Sequence, residues 1–384
     1  MKKLYLAAVL CLLLVFSFFL VSSFLIAVPR NDFPDFFVGV DVAYDDVEEI
    51  KGLVDEISSY TNTLVVGSSG ITYNVSKLDE VCNYIYSRGL YFMIYMHPNP
   101  DQYDVQRQWV EDAKTRWGQR FLGLYAHDEP GGRQLDNATY KVLNETPDNY
   151  TDAAEKYTTT LGEILGNVRG SPICAGDLTL FTSDYALYWF DYRGGYDVVF
   201  AEFGWNYSRM LNVALCRGAA TAHCREWGVM ITWTYNNSPY LESGPELYED
   251  LVLAYENGAK YILVFDTNNN YTDSVLEKEH LDALKKFWDY TKDNPRKIGD
   301  SSERVAYVLP EGYAYGFRGP WDKIWGFWEG EDDPLKLSYQ ISVDVGKALE
   351  EYDAKLDLIY DDEIVVDDTY WKYVFWNGTE VSSS

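Results

Sequence analysis

Two adjacent acids follow the fourth of a series of short apolar runs. Residues 121–127 read FLGLYAH, and Asp128, Glu129 and Pro130 come directly after them. Carboxyl groups are costly to hold beside a buried strand unless they are hydrogen-bonded or used in chemistry. We therefore expect Glu129 to act as a general acid/base, with Asp128 orienting it or binding a hydroxyl group of the substrate. The alternative is a loop pair that caps a helix or pairs with Arg133.

A second carboxyl group interrupts another apolar run. Glu202 lies in FAEFGWN, between Phe200 and Phe203, where a charged residue is unusual. If it faces the same cleft as Glu129, it could be the nucleophile or the base that activates a water. The separation of the two carboxyl groups would decide between retention, at about 5–5.5 Å, and inversion, at about 6.5–9.5 Å. A structural ion pair is the alternative role for Glu202.

Further polar and aromatic residues end the other apolar runs, and we expect them to bind substrate. They are Asp41, Tyr44, His97, His127, Asp177, Trp205, Trp233, Tyr235 and Asp266. Asp177 and Asp266 also rival Glu202 as the second catalytic acid. Acids and histidines can bind sugar hydroxyls, and indole and phenol rings stack on the apolar faces of sugars. No zinc-peptidase, redox, esterase or phosphate-loop motif is present, so the sequence predicts no metal site and no cofactor.

The alternation of apolar runs and amphipathic stretches indicates the scaffold that positions these residues. The predicted strands are residues 37–44, 63–68, 91–96, 121–127, 172–178, 198–205, 229–235 and 261–266. The predicted helices are residues 47–59, 77–87, 105–117, 151–168, 184–190, 208–227, 245–256 and 274–293. Eight strand–helix pairs predict an α/β fold of the (β/α)₈ TIM-barrel type over residues 31–300, with its active site at the C-terminal ends of the strands. An open, doubly wound sheet would carry a glycine-rich loop after its first strand, and residues 43–49 (AYDDVEE) contain no glycine.

The remaining residues, 301–384, predict a small C-terminal α/β domain. Residues 305–309, 356–360 and 373–376 have strand patterns, and residues 337–352 have a helical pattern.

The first 30 residues predict a membrane segment. Lys2 and Lys3 precede an apolar or small-residue run over residues 4–28, long enough for a helix to cross a bilayer. We expect a single-pass anchor that places the rest of the chain on the extracellular face, or a secreted protein if the segment is cleaved.

Eight N-x-S/T sequons support export and predict N-glycosylation. Their asparagines are Asn74, Asn137, Asn144, Asn149, Asn206, Asn236, Asn270 and Asn377. The net charge of the chain is -28, which argues against a nucleic-acid partner because nucleic-acid affinity comes largely from cationic groups. Aromatic residues make up 16% of the sequence, which suits a carbohydrate ligand.

The layout resembles the barrel glycoside hydrolases of the cellulase and β-galactosidase clan. In that clan an Asn-Glu-Pro stretch closes strand four and its Glu is the acid/base, so the resemblance gives Glu129 that role, with Asp128 in place of the Asn. The clan's nucleophile is a Glu at the end of strand seven, but residues 231–235 here read ITWTY and the next acid is Glu242. Adjacent Asp-Glu after strand four is also similar to the β-hexosaminidases, whose substrate supplies the attacking acetamido group. The C-terminal unit resembles the flavodoxin-like domain of the β-galactosidase group.

Two functions from different classes follow. The first is an extracellular, membrane-anchored glycoside hydrolase that acts on a poly- or oligosaccharide. The second is a non-catalytic cell-surface protein that uses the barrel for glycan binding or as a scaffold. The missing strand-seven acid favours the second function, as do the sequons predicted near the barrel mouth.

Overall fold

Eight parallel strands close into a barrel, β1 pairing with both β2 and β8. The computed structural model describes residues 33–96, 103–169, 178–296, 303–329, 336–362 and 366–383. The barrel strands are Phe37–Val42 (β1), Thr63–Val66 (β2), Tyr91–Met96 (β3), Phe121–Ala126 (β4), Thr179–Asp184 (β5), Val198–Phe203 (β6), Glu226–Ile231 (β7) and Tyr261–Asp266 (β8). The predicted (β/α)₈ barrel is confirmed.

Helices follow the strands and cover the outside of the barrel. They are Val47–Ile57 (α1), Ser69–Thr72 (α2), Val75–Ser87 (α3), Tyr103–Trp117 (α4), Pro130–Leu135 (α5), Tyr150–Arg169 (α6), Tyr188–Gly194 (α7), Arg209–Ala222 (α8), Gly244–Glu256 (α9) and Lys278–Asp293 (α10). In α1, Ile50, Val54 and Ile57 are buried, a spacing of three to four residues that places them on one face. This face joins the same core cluster as Val38 and Val40 of β1.

Aromatic rings fill the barrel interior below its mouth. The Phe181 ring of β5 lies 5.3 Å from the Tyr261 ring of β8, centroid to centroid, and 5.7 Å from the Phe200 ring of β6. Strands β5 and β8 are not neighbours, so Phe181 and Tyr261 can meet only across the interior. Side chains two positions apart on a strand share a face. The residues two positions beyond Phe181 and Phe200 therefore also face inward, closer to the C-terminal end.

A second, four-stranded sheet follows the barrel. Its order is β10-β9-β11-β12, with β11 and β12 antiparallel and the other pairs parallel. The strands are Val305–Leu309 (β9), Leu356–Tyr360 (β10), Lys372–Phe375 (β11) and Glu380–Ser382 (β12), and the helix Ser338–Tyr352 (α11) connects β9 to β10. The sequence analysis missed β12. The likeness to a flavodoxin-like domain and the domain boundaries at residues 30 and 300 stay predictions.

The small sheet packs directly on barrel helix α8. A Cβ atom at Gly218 would lie 2.4 Å from the backbone oxygen of Leu358, so the glycine permits the close approach of β10. Arg217 donates from Nε to Asp357 Oδ1 of β10 over 2.7 Å, and Arg304 donates to Asp357 Oδ2 over 2.7 Å. The two sheets are therefore joined by both close packing and a buried ion cluster.

Several strand and helix predictions need correction, among them the helix predicted at residues 208–227, which ends at Ala222. The fifth strand is β5 rather than residues 172–178, so Asp184 and not Asp177 ends it. The seventh strand ends at Ile231 rather than at residue 235, which places Trp233 and Tyr235 in a loop. The short helix predicted at residues 184–190 begins later, at Tyr188.

The predicted membrane segment lies outside the described residues. Within the described ranges, no helix is both long enough and apolar enough to cross a bilayer.

Candidate active site

The turn after β4 brings both predicted acids to the barrel mouth. The strand ends at Ala126, and His127 and Glu129 adopt left-handed backbone conformations with φ of 57° and 52°. Such conformations are strained for residues other than glycine and persist where surrounding contacts enforce them. Because the strand has already ended, Asp128 and Glu129 are not constrained to opposite faces.

Contacts from β5 and its neighbourhood hold this turn in place. The Glu129 amide donates to Ser183 O over 3.1 Å, and Thr182 Oγ1 donates to His127 O over 2.8 Å. Asp184 accepts from the amides of Gly131 and Gly132 over 2.6 and 2.7 Å, at the start of helix α5. Asp184 therefore fixes the chain immediately after Glu129 without facing the mouth itself.

Asp128 and Glu202 meet around one serine hydroxyl inside the mouth. Ser183 Oγ lies 2.7 Å from Glu202 Oε1 and 3.4 Å from Asp128 Oδ1. The Tyr125 hydroxyl lies 2.8 Å from Ser183 Oγ and donates to Asp128 Oδ1. Since both carboxyl oxygens contact the same hydroxyl, they are separated by no more than about 6 Å, close to the spacing of glycosidase carboxyl pairs.

Glu129 lies beside Arg133 at the rim of the mouth. Its Oε2 is 3.8 Å from Arg133 Nε, and Asp128 Oδ2 is 3.9 Å from Arg133 Nη2. The side chain of Glu129 is 31% exposed, so it is accessible to a ligand. Glu129 is also the N-cap residue of helix α5, although its side chain makes no capping hydrogen bond. The exposure of Glu129 therefore agrees with a catalytic role, and the Arg133 distances agree with the alternative of an ion pair.

Burial and crowding of acids raise the pKa values of the acids at the mouth. Burial, and then the charges of Asp128 and Asp184, raise the pKa of Glu129 to about 8. Burial, and then the charges of Glu129 and Asp128, raise the pKa of Glu202 well above its usual range. Burial also raises the pKa of Asp128. The hydrogen bond from Tyr125, the charge of Arg133 and the hydrogen bond from Ser183 each oppose that shift. Asp128 is therefore the member of this cluster that its contacts favour as an anion.

The predicted substrate-binding residues other than Trp205, Trp233 and Tyr235 fall into three groups. Asp41 is buried in the mouth, and His127 lies in the turn after β4. Tyr44 and Asp266 have no exposed surface, and Asp266 accepts from Ser274 and Val275 to hold the loop after β8. His97 and Asp177 lie outside the described residues.

The predicted aromatic residues lie on the rim after β6 and β7. Trp205 is 38% exposed and Tyr235 is 48% exposed. Trp233 donates from Nε1 to Thr267 O over 2.9 Å, and its ring lies 6.4 Å from the Tyr271 ring. Tyr271, which is 55% exposed, was missed by the sequence analysis, although it follows strand β8 as the other candidates follow theirs.

A separate cavity of about 570 Å³ lies between helices α6, α7 and α8 and the small sheet. Its lining includes Trp189, Arg193, His223 and Asp362, and none of the acids of the mouth. In the described part of the chain, no three His, Cys, Asp or Glu side chains are grouped so that they could hold a metal ion.

Comparisons with known proteins extend the barrel assignment. No protein-family model and no curated protein sequence matches the chain. Among solved structures, it is similar to the α-L-fucosidase isoenzyme 2 from Paenibacillus thiaminolyticus, with a TM-score of 0.51, 10% identity and coverage of 88% of this chain and 59% of that one. It is also similar to the GH99 endo-α-mannosidase from Bacteriodes thetaiotaomicron, with a TM-score of 0.43, 12% identity and coverage of 65% and 84%. At these identities the likeness is one of fold, and the chain spans 59% of the length of the fucosidase.

Stability is expected to fall as the pH rises from about 5 to 8. Burial raises the pKa of Asp184 to about 7 and that of Glu242 to about 8, whereas both groups titrate near 4 in the unfolded chain. Between these values the folded state binds more protons, so the free energy of unfolding decreases with increasing pH. Glu242→Gln keeps the contact with Arg209, 3.2 Å away, and should reduce this fall by on the order of 1–3 kcal/mol.

The measurement is the unfolding free energy at several pH values. Glu163→Gln is the control, because Glu163 is exposed on helix α6 and its replacement should leave the pH dependence unchanged. Equal slopes for the original protein and Glu242→Gln would show that Glu242 does not contribute to it.

Proposed function

We propose that the chain is a glycoside hydrolase that acts on a poly- or oligosaccharide through carboxyl catalysis. The observation that carries the proposal is the pair Asp128 and Glu202, which come from β4 and β6 and contact one hydroxyl inside the mouth. Active sites of TIM barrels lie at this end. The solved structures with a similar fold include proteins named as a fucosidase and a mannosidase, which agrees with the proposal.

The contacts favour Glu202 as proton donor and Asp128 as the anionic partner. Glu202 is 8% exposed, and burial beside other acids raises its pKa well above its usual range, which favours its protonated form. Asp128 accepts hydrogen bonds from Tyr125 and Ser183 and lies near Arg133, so three contacts stabilise its charge. A glycosidase needs one protonated and one ionised carboxyl, and this environment separates their pKa values.

Glu129 remains the acid/base that the sequence predicts, and it competes with Glu202 for that role. Its pKa of about 8 leaves it protonated at neutral pH, and it is more exposed than Glu202. Glu129→Gln and Glu202→Gln separate the two assignments, because only loss of the acid/base should make the rate depend on the leaving group.

The short distance between Asp128 and Glu202 favours retention of configuration. One hydroxyl contacts both carboxyl groups, so little room remains between them for the water that inversion requires at about 6.5–9.5 Å. In this mechanism Asp128 attacks the anomeric carbon while Glu202 protonates the departing oxygen. Glu202 then takes a proton from the water that releases the sugar.

The test is hydrolysis by the full chain of a panel of oligosaccharides and aryl glycosides. We expect release of a reducing sugar, with the first product in the anomeric configuration of the substrate when followed by NMR. The double variant Asp128→Asn/Glu202→Gln is the negative control and should show no turnover. A product of opposite configuration would contradict the Asp128 nucleophile.

Binding of a glycan without turnover would favour the second function, a cell-surface glycan-binding or scaffold protein. The specific observation for it is the position of the sequons. Asn206, Asn236 and Asn270 follow β6, β7 and β8, and their side chains are exposed near the mouth. Glycans at these positions would restrict access for a large polymer.

We also propose that the protein works on the extracellular face of the membrane as a glycoprotein. All eight sequon asparagines are exposed, as attachment of a glycan requires. The apolar run at residues 4–28 supports an N-terminal anchor, or secretion if it is cleaved.

A further inference from the structure

Among the described residues of the barrel mouth, acidic side chains outnumber basic ones. Asp41, Asp128, Glu129 and Glu202 come together there, and Arg133 lies beside two of them, Asp128 and Glu129. Arg133 is already engaged, because its Nε donates to Asp128 O over 3.1 Å and lies near both Asp128 and Glu129. A ligand in the mouth therefore meets an excess of carboxyl groups.

Asp41 has a buried oxygen that no described residue satisfies. The residue is 1% exposed, and its Oδ1 has no hydrogen-bond partner among the described residues. Asp41 is two positions beyond Gly39 and four beyond Phe37 on β1, and the Phe37 ring stacks on Tyr261 inside the barrel at 5.0 Å. It therefore faces the interior at the mouth end.

The surroundings of Asp41 leave space for its carboxyl group but do not stabilise its charge. A Cβ atom at Gly67 would lie 2.2 Å from Asp41 Oδ1, so only a glycine fits beside it. Burial, and then the charges of Asp128 and Asp266, raise the pKa of Asp41 well above its usual range. A ligand that both donates a hydrogen bond and carries a positive charge would offset both costs, whereas a neutral hydroxyl would offset one.

The net charge of the chain also favours a positively charged ligand. The net charge is -28, which attracts cationic ligands to the surface and repels sugars that carry carboxylate or sulfate groups. The exposed Tyr271 ring, near Trp233, adds an apolar surface on which a sugar ring can stack.

We propose that the mouth binds a sugar unit with a free ammonium group, an amino sugar of an oligosaccharide, and that Asp41 is the partner of that ammonium. This inference names the substrate class of the proposed hydrolase and rests on that function. The ammonium donates to the Asp41 carboxylate, and Asp128, whose contacts favour its anion, adds a favourable long-range attraction.

Binding of matched sugars to the full chain tests the proposal. The probes are methyl glycosides in the gluco, galacto and manno series, each with a free amine, an acetamide or a hydroxyl at carbon 2. Calorimetry or ligand-observed NMR at a pH where the amine is charged gives the affinities. In at least one series we expect the amine to bind about tenfold more tightly than both counterparts.

Two variants locate the contact. Asp41→Asn should remove most of the preference for the amine, and Glu163→Gln, which removes an exposed charge on helix α6, should leave it unchanged. Thermal unfolding checks that Asp41→Asn is folded. The comparison of amine, acetamide and hydroxyl sugars uses the unsubstituted protein, so it tests the substrate class even if Asp41→Asn does not fold. A preference that survives in Asp41→Asn overturns the assignment of Asp41.

The substrate class is overturned if the acetamide or hydroxyl form binds as tightly as the amine in every series, or if no amine binds. Its failure is distinguishable from failure of the proposed function. Hydrolysis of neutral oligosaccharides that is lost in Glu202→Gln would retain the hydrolase and reject the amino-sugar preference. Preferential binding of amines without any turnover would retain the amino-sugar preference and reject the hydrolase.

Discussion

Glu202→Gln is expected to lower the kcat for oligosaccharides by about 10²–10⁴-fold, the usual contribution of a general acid. In kcat/KM, which reports the first, bond-breaking step, the loss should be much smaller, about tenfold, for aryl glycosides with an acidic phenol as leaving group, because such a phenol departs without protonation. The kcat for these substrates should still fall, because Glu202 is also the base for the water that releases the sugar. Asp128→Asn should lose activity on both kinds of substrate by at least as much, since attack on the anomeric carbon is needed in either case. Steady-state kinetics on the two substrate classes measure the difference.

The same comparison decides the role of Glu129. If Glu129 acts only through its position at the rim, Glu129→Gln should change KM more than kcat and should show no dependence on the leaving group. If Glu129→Gln shows the leaving-group dependence and Glu202→Gln does not, Glu129 is the acid/base that the sequence predicts. Loss of structure is excluded by thermal unfolding of each variant.

Ser183→Ala provides a third readout because Ser183 is a positioning residue. Its hydroxyl contacts Asp128 and Glu202 and lowers the pKa of both. Without it, the pKa of Asp128 should rise, so the acidic limb of the kcat/KM profile should move to higher pH. A reduced rate with an unmoved pH profile would indicate that Ser183 has only a structural role.

The strand pattern of the barrel was predictable because most of its strands are covered on both faces. A strand such as β8 reads YILVFD, with apolar residues toward both the interior and the helices. Strand β5 does not show this apolar pattern at its end, and it was therefore hard to find. Its last three residues are Thr182, Ser183 and Asp184, which are buried and hydrogen-bond to the turn after β4 and to the start of α5.

Strand β5, which was predicted at the wrong residues, therefore carries the side chains that hold the candidate site in place. Polar residues break the hydrophobic signal where the barrel is functional. Ser183 could have been found from its spacing of two from Phe181 once β5 is placed correctly. Asp128 and Glu202 were found because they end or interrupt apolar runs, but the hydroxyl between them depends on packing across three strands.

The junction between the barrel and the small sheet was not predictable either. Arg217 lies on α8 and Asp357 on β10, 140 residues apart in the chain, and neither belongs to a local motif. The sequence analysis treated residues 301–384 as a separate domain. The contacts at Gly218 and Asp357 join the sheet to the barrel, so we expect the two to stabilise each other.

Asp357→Ala is expected to destabilise the protein by about 3–5 kcal/mol, the usual cost of removing one partner from a buried ion pair. Asp357 has no exposed surface, and it is the acceptor for both Arg217 and Arg304. The Arg217 side chain is 7% exposed, so its charge would remain buried without its partner. Because Arg217 is part of the barrel, the barrel and the small sheet should unfold together in one transition at a lower temperature.

Thermal unfolding followed by far- and near-ultraviolet circular dichroism measures both the stability and the number of transitions. Asp344→Ala is the matched control, since it removes an aspartate that pairs with Lys347 on the surface of α11 and should change stability by less than about 1 kcal/mol. Arg217→Met/Asp357→Leu should recover part of the loss, because it removes the buried Arg217 charge and leaves only Arg304, which is 20% exposed, without its partner. Two separate transitions, with only the smaller one shifted by Asp357→Ala, would instead establish residues 301–384 as an independent domain.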